Sequence, residues 1–169
     1  VTKPFGFEGN PRMQAALDGI DKLKREVDSL IVIPNQRIRE LIHEKATKNQ
    51  ALALANVVLY NATKGISQII TKTGEINVDF ADVRSVMDNG GAALMGIGKS
   101  SGENRAVEAA KMATESPLLE ISIDGAKGVL FNVIGGKDLG LDEVSKAAEI
   151  IKDRVSPDAT FIFGASIDP

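Results

Sequence analysis

Two aspartates three residues apart, Asp79 and Asp82, are the residues of this 169-residue chain best suited to chemistry. They stand in the run N-V-D-F-A-D-V at 77–83, between two segments with helical patterns. Residues at i and i+3 share a helix face, so both carboxylates, ionised at pH 7, would point the same way. Such a pair can polarise a water molecule or hold a cation beside phosphate oxygens, with Asn77 helping to position the water.

The same spacing is typical of a helix start. Asp79 would then be the N-cap and Asp82 the third helical residue, each stabilised by the free N–H groups of the first turn. A cap of this kind contributes about 1 kcal/mol to stability. The structural role does not exclude the catalytic one, because both use the same geometry.

Two other groups of residues suggest a phosphate or another anion. The run A-L-M-G-I-G-K-S at 93–100 would place Lys99 and Ser100 in a phosphate loop, but Ala93 replaces the first glycine of G-x-x-x-x-G-K-[ST]. The apolar residues between favour a buried strand instead. Glu8 and Arg12 would form an exposed i,i+4 pair worth little stability. An arginine at a helix start is unfavourable for the dipole, which hints at an anionic ligand.

Composition excludes several classes of protein. The net charge of −3 lacks the basic excess of a dedicated nucleic-acid binder. Without cysteine, the chain has no disulfide, thiolate nucleophile or cysteine-based metal site, and one histidine, His43, cannot build an imidazole cluster. No apolar run approaches the ~18 residues of a membrane span, and no signal peptide is visible. We therefore expect a cytoplasmic protein.

The chemistry-bearing residues must be positioned by an α/β fold in two parts, with a boundary near residues 73–74. A helix over 49–71, with one stripe formed by Leu52, Ala55, Leu59, Ala62, Ile66 and Ile69, would be roughly 35 Å long and serve as a spine. The other predicted helices are 11–27, 36–43, 104–115 and 141–155. The predicted strands are 30–33, 92–97, 118–123, 129–134 and 160–163. The missing initiator methionine and the abrupt last strand suggest a piece of a longer protein.

Several motifs in order resemble the FtsZ family of tubulin-like division GTPases. They are V-T-K-P-F-x-F-E-G at the start, I-V-I-P-N at 31–35, N-V-D-F-A-D-V at 77–83, A-L-M-G-I-G at 93–98, G-E-N-R-A at 102–106 and S-P-L-L-E…I-D-G-A-K-G-V-L from 116. The resemblance implies the tail of a Rossmann-like GTP-binding domain (1–48) and a central helix (49–72). A catalytic loop with its following helix (73–89) and an incomplete α/β C-terminal domain with a mixed four-stranded sheet (90–169) come next.

The resemblance also implies roles for residues. Asp79 and Asp82, with Asn77 beside them, match the acidic pair that activates the hydrolytic water in a neighbouring subunit's site. Glu8 and Arg12 match positions near the ribose and phosphates, and Asn56 matches the central-helix residue that hydrogen-bonds guanine. Leu52 departs from the family pattern, which often has an aromatic residue there, and Val57 replaces a common polar residue.

The cofactor implied is GTP or GDP, with Mg²⁺, in the full protein; no metal ligand is assigned to this chain. The glycine-rich phosphate loop of the family is missing from these 169 residues, so we expect the isolated chain to be inactive. The implied partners are further copies in head-to-tail filaments at the division site, the N-terminal GTP-binding half, and division proteins bound through a tail outside this sequence. We expect no nucleic acid and no direct membrane contact.

Two alternatives stay open. The chain could be a non-catalytic interaction module that caps filaments by docking on a subunit's nucleotide face. It could also be an independent nucleotide-binding domain that uses Lys99 and Ser100.

Overall fold

The computed structural model describes residues 1–38, 47–71, 76 and 78–167. His43, Asn77 and residues 73–75 of the predicted catalytic loop lie outside the described residues. The described residues form an α/β arrangement, which confirms the predicted fold class.

The helices lie close to their predicted positions and differ mainly at their ends, and residues 39–43 of the predicted helix over 36–43 lie outside the described residues. A short 3-10 helix over Gly6–Glu8 precedes α1. The α-helices are α1 (Asn10–Leu23), α2 (Asn35–Ile38), α3 (Lys48–Thr71), α4 (Phe80–Met87), α5 (Arg105–Thr114) and α6 (Leu141–Lys152).

The strands of the described residues form three parallel pairs. They are β1 (Thr2–Lys3), β2 (Ser29–Ile31), β3 (Ile33–Pro34), β4 (Gly91–Ala93), β5 (Gly128–Gly135) and β6 (Thr160–Ile167). β1 pairs with β3, β2 with β4 and β5 with β6. Ile76 adds one antiparallel bridge to Ala165 of β6, so the chain after α3 is tied to the C-terminal part.

The predicted strand over 118–123 does not form, and the described residues do not build a four-stranded mixed sheet. The backbone closes local turns there instead: the Leu119 N–H donates to the Ser116 carbonyl at 2.9 Å, and the Ala126 N–H donates to Ile123 at 3.0 Å. Leu118 is buried, whereas Ile121 is 63% exposed. The apolar run therefore contributes one core side chain rather than a strand.

The main core packs one face of α3 against the first part of the chain. Its buried members on α3 are spaced at helical intervals: Ala51, Ala55, Val58 and Ala62. Phe5, Ile33, Ile38 and Leu118 complete the cluster. The predicted stripe is therefore rotated by about one residue, and Leu52 and Leu59 are more than one-third exposed.

Two glycines let the segment after β4 lie directly on α5. A Cβ added to Gly96 would lie 1.9 Å from the Ala113 carbonyl oxygen, and one added to Gly98 would lie 1.8 Å from that of Ala109. Only residues without a side chain permit this approach. None of the helices described is both long and apolar enough to cross a membrane.

Candidate functional site

An open cavity of about 450 Å³ lies between the start of the chain and the first half of α3. Glu8, Arg12 and Asn56, the three residues predicted to contact nucleotide, all line it. The other lining residues are Thr2, Pro4, Ala15, Ala16, Asn35, Leu52, Ala55 and Leu59. The fold thus brings together predicted residues that are 48 positions apart in the sequence, Glu8 and Asn56.

Glu8 fixes the polar end of this cavity. One of its carboxylate oxygens accepts the Phe5 N–H at 2.9 Å, and the other accepts an N–H of Arg12 at 2.7 Å. Phe5 is almost fully buried, so the carboxylate is bonded to the backbone of a core residue. The Arg12 side chain is 72% exposed, and a guanidinium carries five N–H donors, so it keeps donors for an anion while bound to Glu8.

Asn35 is a candidate site residue that the sequence analysis did not identify. It follows β3 directly, is buried, and lines the cavity. Its Oδ1 atom has no hydrogen-bond partner among the described residues. A buried acceptor without a partner costs stability, which is the pattern expected where a ligand supplies the missing donor. The available signal was a polar residue at the carboxyl end of a short parallel strand.

Apolar side chains form the rest of the wall on α3. Leu52 and Leu59 are one helical repeat of seven residues apart, and both line the cavity with Ala55 between them. This explains why they are more exposed than the core stripe of the same helix. Together with the amides of Asn35 and Asn56, the wall has an apolar face and polar edges, as small-molecule sites usually do.

The acidic pair lies at the start of α4. Asp79 is the N-cap, in extended backbone conformation, and its carboxylate accepts the Asp82 N–H at 2.7 Å. Val78 and Val83 are buried on either side and anchor the helix start, while both aspartates are exposed. The predicted cap therefore forms. The cap hydrogen bond fixes the orientation of the Asp79 carboxylate, and the Asp82 carboxylate faces solvent.

The acidic pair and the cavity lie at different ends of α3. The last cavity-lining residue on α3 is Leu59, and the helix continues to Thr71, roughly 18 Å farther along its axis. The chain then bridges to β6 through Ile76 before reaching Asp79. No residue after Leu59 lines the cavity in the described part of the chain.

Lys99 and Ser100 do not form a phosphate loop. The Ser100 hydroxyl donates to the Glu108 carboxylate at 2.5 Å, and α5 begins only at Arg105. Gly96 and Gly98 face the α5 backbone, as described above, so their missing side chains serve helix packing. The independent nucleotide-binding interpretation has no support in this geometry.

A charged cluster that the sequence analysis also missed joins α5 to α6. Arg105 donates to both carboxylate oxygens of Glu143, at 2.8 and 3.0 Å, and to the Asp138 carboxylate at 2.7 Å. Glu143 also accepts the Gly140 N–H at 2.9 Å, which caps α6. Arg105 and the Gly140 N–H hold the pKa of Glu143 at about 2, and Arg105 lowers the pKa of Asp138. The cluster is a structural joint, because every donor described is directed at a partner within it.

Comparison with known proteins identifies the family. Residues 91–169 match the C-terminal domain of the FtsZ family. An empty FtsZ dimer from M. jannaschii superposes with a TM-score of 0.95 at 48% identity, covering 99% of this chain and 49% of that one. The chain belongs to the FtsZ family. An FtsZ mutant from M. jannaschii gives the same TM-score at 49% identity, covering 99% of this chain and 50% of that one.

A more distant likeness shows the fold alone. CetZ from Methanosaeta thermophila has a TM-score of 0.73 at 18% identity, covering 99% of this chain and 47% of that one. The chain spans about half the length of the FtsZ structures it matches. The resemblance inferred from the sequence motifs, that of an FtsZ C-terminal fragment, is confirmed.

Proposed function

We propose that this chain supplies two separate half-sites to a polymerising cell-division GTPase. The cavity contributes to binding the nucleotide of its own subunit. The start of α4 contributes the acidic pair that completes GTP hydrolysis in the neighbouring subunit. The domain parts inferred from the resemblance, 1–48, 49–72, 73–89 and 90–169, correspond to this division of labour.

One observation carries the proposal. Glu8, Arg12 and Asn56 converge on one cavity, while Asp79 and Asp82 follow the opposite end of a 24-residue helix. Carboxylates placed there cannot reach a nucleotide in the cavity of the same molecule. A second molecule stacked head to tail would bring one half-site against the other. The similarity to an FtsZ dimer supports self-association.

The cavity fits part of a nucleotide by its chemistry. Arg12 offers a cation for phosphate, and Asn35 and Asn56 offer amides that can both donate and accept at a base edge or a ribose. Leu52 offers an apolar face where the family often has an aromatic ring, and Val57 lies exposed beside Asn56. GTP would supply the scissile γ-phosphate bond, and the glycine-rich loop of the N-terminal half would hold the phosphates.

The acidic pair is arranged to act on water. Asp79 is held by its cap hydrogen bond, and Asp82 projects from the first turn of α4. Two fixed carboxylates can orient a water molecule and stabilise the charge that develops on it, with Asn77 as an additional contact. Phosphoryl transfer depends mainly on positioning and charge stabilisation, which two subunits can divide between them.

We propose no metal ligand on this chain. The described residues contain no group of three or more histidine, aspartate and glutamate side chains that could hold a metal ion. A Mg²⁺ ion would be bound mainly by nucleotide phosphates, as is usual in such sites. Because the glycine-rich phosphate loop of the family is not among these 169 residues, the isolated chain would neither bind nor hydrolyse GTP appreciably. The full protein would act in the cytoplasm at the division site, with a tail outside this sequence recruiting other division proteins.

A complementation assay tests the catalytic role. Full-length subunits that bind GTP but lack their own acidic pair are mixed with this chain, and phosphate release is measured. We expect turnover to be restored, and Asp79→Asn or Asp82→Asn to lower it by about 100-fold or more, because general acid–base and orienting groups contribute at least that much. Asparagine at position 79 retains a capping oxygen, so the fold is preserved.

Asp88→Asn is the matched control, since Asp88 is an exposed carboxylate at the other end of α4. Its turnover should equal that of the unmodified chain. Restored turnover that survives both the Asp79 and Asp82 substitutions would refute the catalytic assignment.

The capping function remains the second candidate, and one observation favours it. Phe80, between the two aspartates, is 65% exposed and offers an apolar docking contact. A pure cap would shorten filaments in light scattering without raising phosphate release. Loss of capping in Phe80→Ser, with the aspartates intact, would support docking as the main role of this surface.

A further inference from the structure

The turn that follows α4 places an asparagine directly before a glycine. Asn89-Gly90 is the only Asn-Gly dipeptide in the sequence. Both residues are exposed. Asn89 has a φ of 54° and is the only non-glycine residue with positive φ in the described part of the chain. The position therefore combines an exposed amide with a neighbour whose backbone nitrogen is not shielded by a side chain.

We infer that Asn89 is a site of spontaneous deamidation and isoaspartate formation. The Gly90 nitrogen, after losing its proton, attacks the Asn89 side-chain carbonyl carbon. A C–N bond forms, the bond to the amide nitrogen breaks, and ammonia leaves with the proton supplied by solvent. Water then opens the cyclic imide at either carbonyl, which gives aspartate or isoaspartate. Each change adds one negative charge.

Among the described residues, the attacking nitrogen is held by one hydrogen bond. The Gly90 N–H donates to the Met87 carbonyl at 3.2 Å, near the long end of the range for such bonds. This bond closes a short turn after the eight-residue α4, and the Met87 carbonyl also accepts the Ser29 hydroxyl. Because both residues of the turn are exposed, the turn can open locally without unfolding of the core.

The modification would affect the contact between β2 in the first part of the chain and β4 in the C-terminal part. The next residue, Gly91, donates its N–H to the Asp28 carbonyl at 2.7 Å and begins the pairing of β4 with β2. A Cβ on Gly90 would lie 2.6 Å from the Ser29 hydroxyl, so the backbone fits closely there. Isoaspartate lengthens the main chain by one methylene immediately before this contact. The β2–β4 pairing should therefore loosen in the isoaspartate form.

Mass spectrometry of aged protein tests the inference. Full-length protein is incubated at neutral to mildly alkaline pH beside a synthetic peptide of residues 85–99, and both are digested with trypsin. Asn89 is the only amide side chain in that peptide. We expect conversion in the protein within about tenfold of the free-peptide rate, because the exposed turn can open locally. A protein that stays unmodified when the peptide is fully converted would overturn the inference.

Two controls separate the site from general ageing. Asn104, exposed and followed by Arg105, should remain unmodified in the same sample. Asn89→Gly keeps a residue that tolerates positive φ and should abolish the mass change. Hydrogen exchange then tests the consequence: the Gly91 amide should lose protection in the isoaspartate form and keep it in Asn89→Asp. Equal protection in both forms would refute the proposed effect on the β2–β4 pairing.

Discussion

At the residue scale, Asn35 is the side chain whose surroundings point most directly to a ligand. Its Oδ1 atom is buried and without a partner in the described residues, at the wall of the cavity. Folding alone gains nothing from such an acceptor. A bound molecule that donates a hydrogen bond to this oxygen would remove the cost of burying it.

We predict that Asn35→Ala in the full-length protein weakens nucleotide binding by about 5- to 100-fold, the effect of removing one buried hydrogen bond to a ligand. Stability should fall by no more than about 1 kcal/mol, because the substitution also removes a buried acceptor that itself destabilises the fold. Titration with a fluorescent nucleotide and chemical denaturation measure the two effects. Asn61→Ala, an exposed amide on α3, should change neither. Unchanged nucleotide affinity in Asn35→Ala would contradict the role.

The site residues differ in how far the sequence could predict them. The N-cap role of Asp79 follows from a local rule, and the structure forms that cap. The roles of Glu8, Arg12 and Asn56 came from family resemblance, since their spacing does not by itself place them around one cavity. Asn35 was missed because burial and a missing partner are properties of the tertiary structure.

At the element scale, α5 is held by close backbone packing on one side and by a charged joint to α6 on the other. Apolar periodicity located both helices within a few residues. It misplaced the strand over 118–123 because a short apolar run can bury one side chain and then turn. It also shifted the α3 stripe, because cavity-lining leucines resemble core leucines in a sequence.

The glycine contact gives one prediction at this scale. Gly98→Ala should lower the free energy of unfolding by about 3 kcal/mol or more, because the new methyl group meets the Ala109 carbonyl and the core must be overpacked or α5 displaced. Chemical denaturation measures the change. Gly19→Ala is the control: nothing lies within 4 Å of its Cβ on α1, and we expect a gain of about 0.5–1 kcal/mol. Equal effects of the two substitutions would refute the packing argument.

The charged joint gives a pH-dependent prediction. The pKa of Glu143 is lowered from 4.5 to about 2, so the folded state binds this proton less readily than the unfolded state does. Its stabilising contribution is therefore complete above about pH 4.5 and is lost as the pH falls towards 2. In Glu143→Gln the thermal midpoint should fall at neutral pH and depend less on pH across this interval.

Glu149→Gln, exposed on the same helix, should retain the pH dependence of the unmodified chain. A Glu143→Gln profile that is parallel to the unmodified one between pH 4.5 and 2 would show that the joint does not carry this effect.

At the scale of the whole molecule, the C-terminal part is attached to the first part through a few contacts. Leu118 inserts into the core beside Phe5 and Ile33, and Lys3 binds Glu120 at 2.6 Å. The β2–β4 pairing is a further connection, beside which the Ser29 hydroxyl donates to the Met87 carbonyl. The sequence suggested two parts with α3 as the spine, but the identity of the connecting residues depends on long-range packing that no local pattern reports.

We predict that Leu118→Ala lowers the free energy of unfolding by about 2–5 kcal/mol, the usual cost of such a cavity in a core. Because Leu118 is the one core-cluster member that follows α3 in the described residues, the two parts should also unfold less cooperatively. Denaturation monitored by circular dichroism and by hydrogen exchange measures both effects. Ile121→Ala, three residues along and 63% exposed, should have little effect. Equal losses of unfolding free energy in both variants would contradict the role of Leu118 in connecting the two parts.

The length of α3 has a consequence for the number of completed active sites in the proposed row of subunits. In the proposed head-to-tail row, the cavity of one subunit would meet the aspartates of the next. Such a row would have one completed site fewer than it has members, and its two ends would be unlike. Turnover per subunit would then be zero for a lone molecule, half-maximal for a pair, and close to its ceiling only in long rows. In the proposed enzyme, the specific activity would therefore report the average number of subunits in a row.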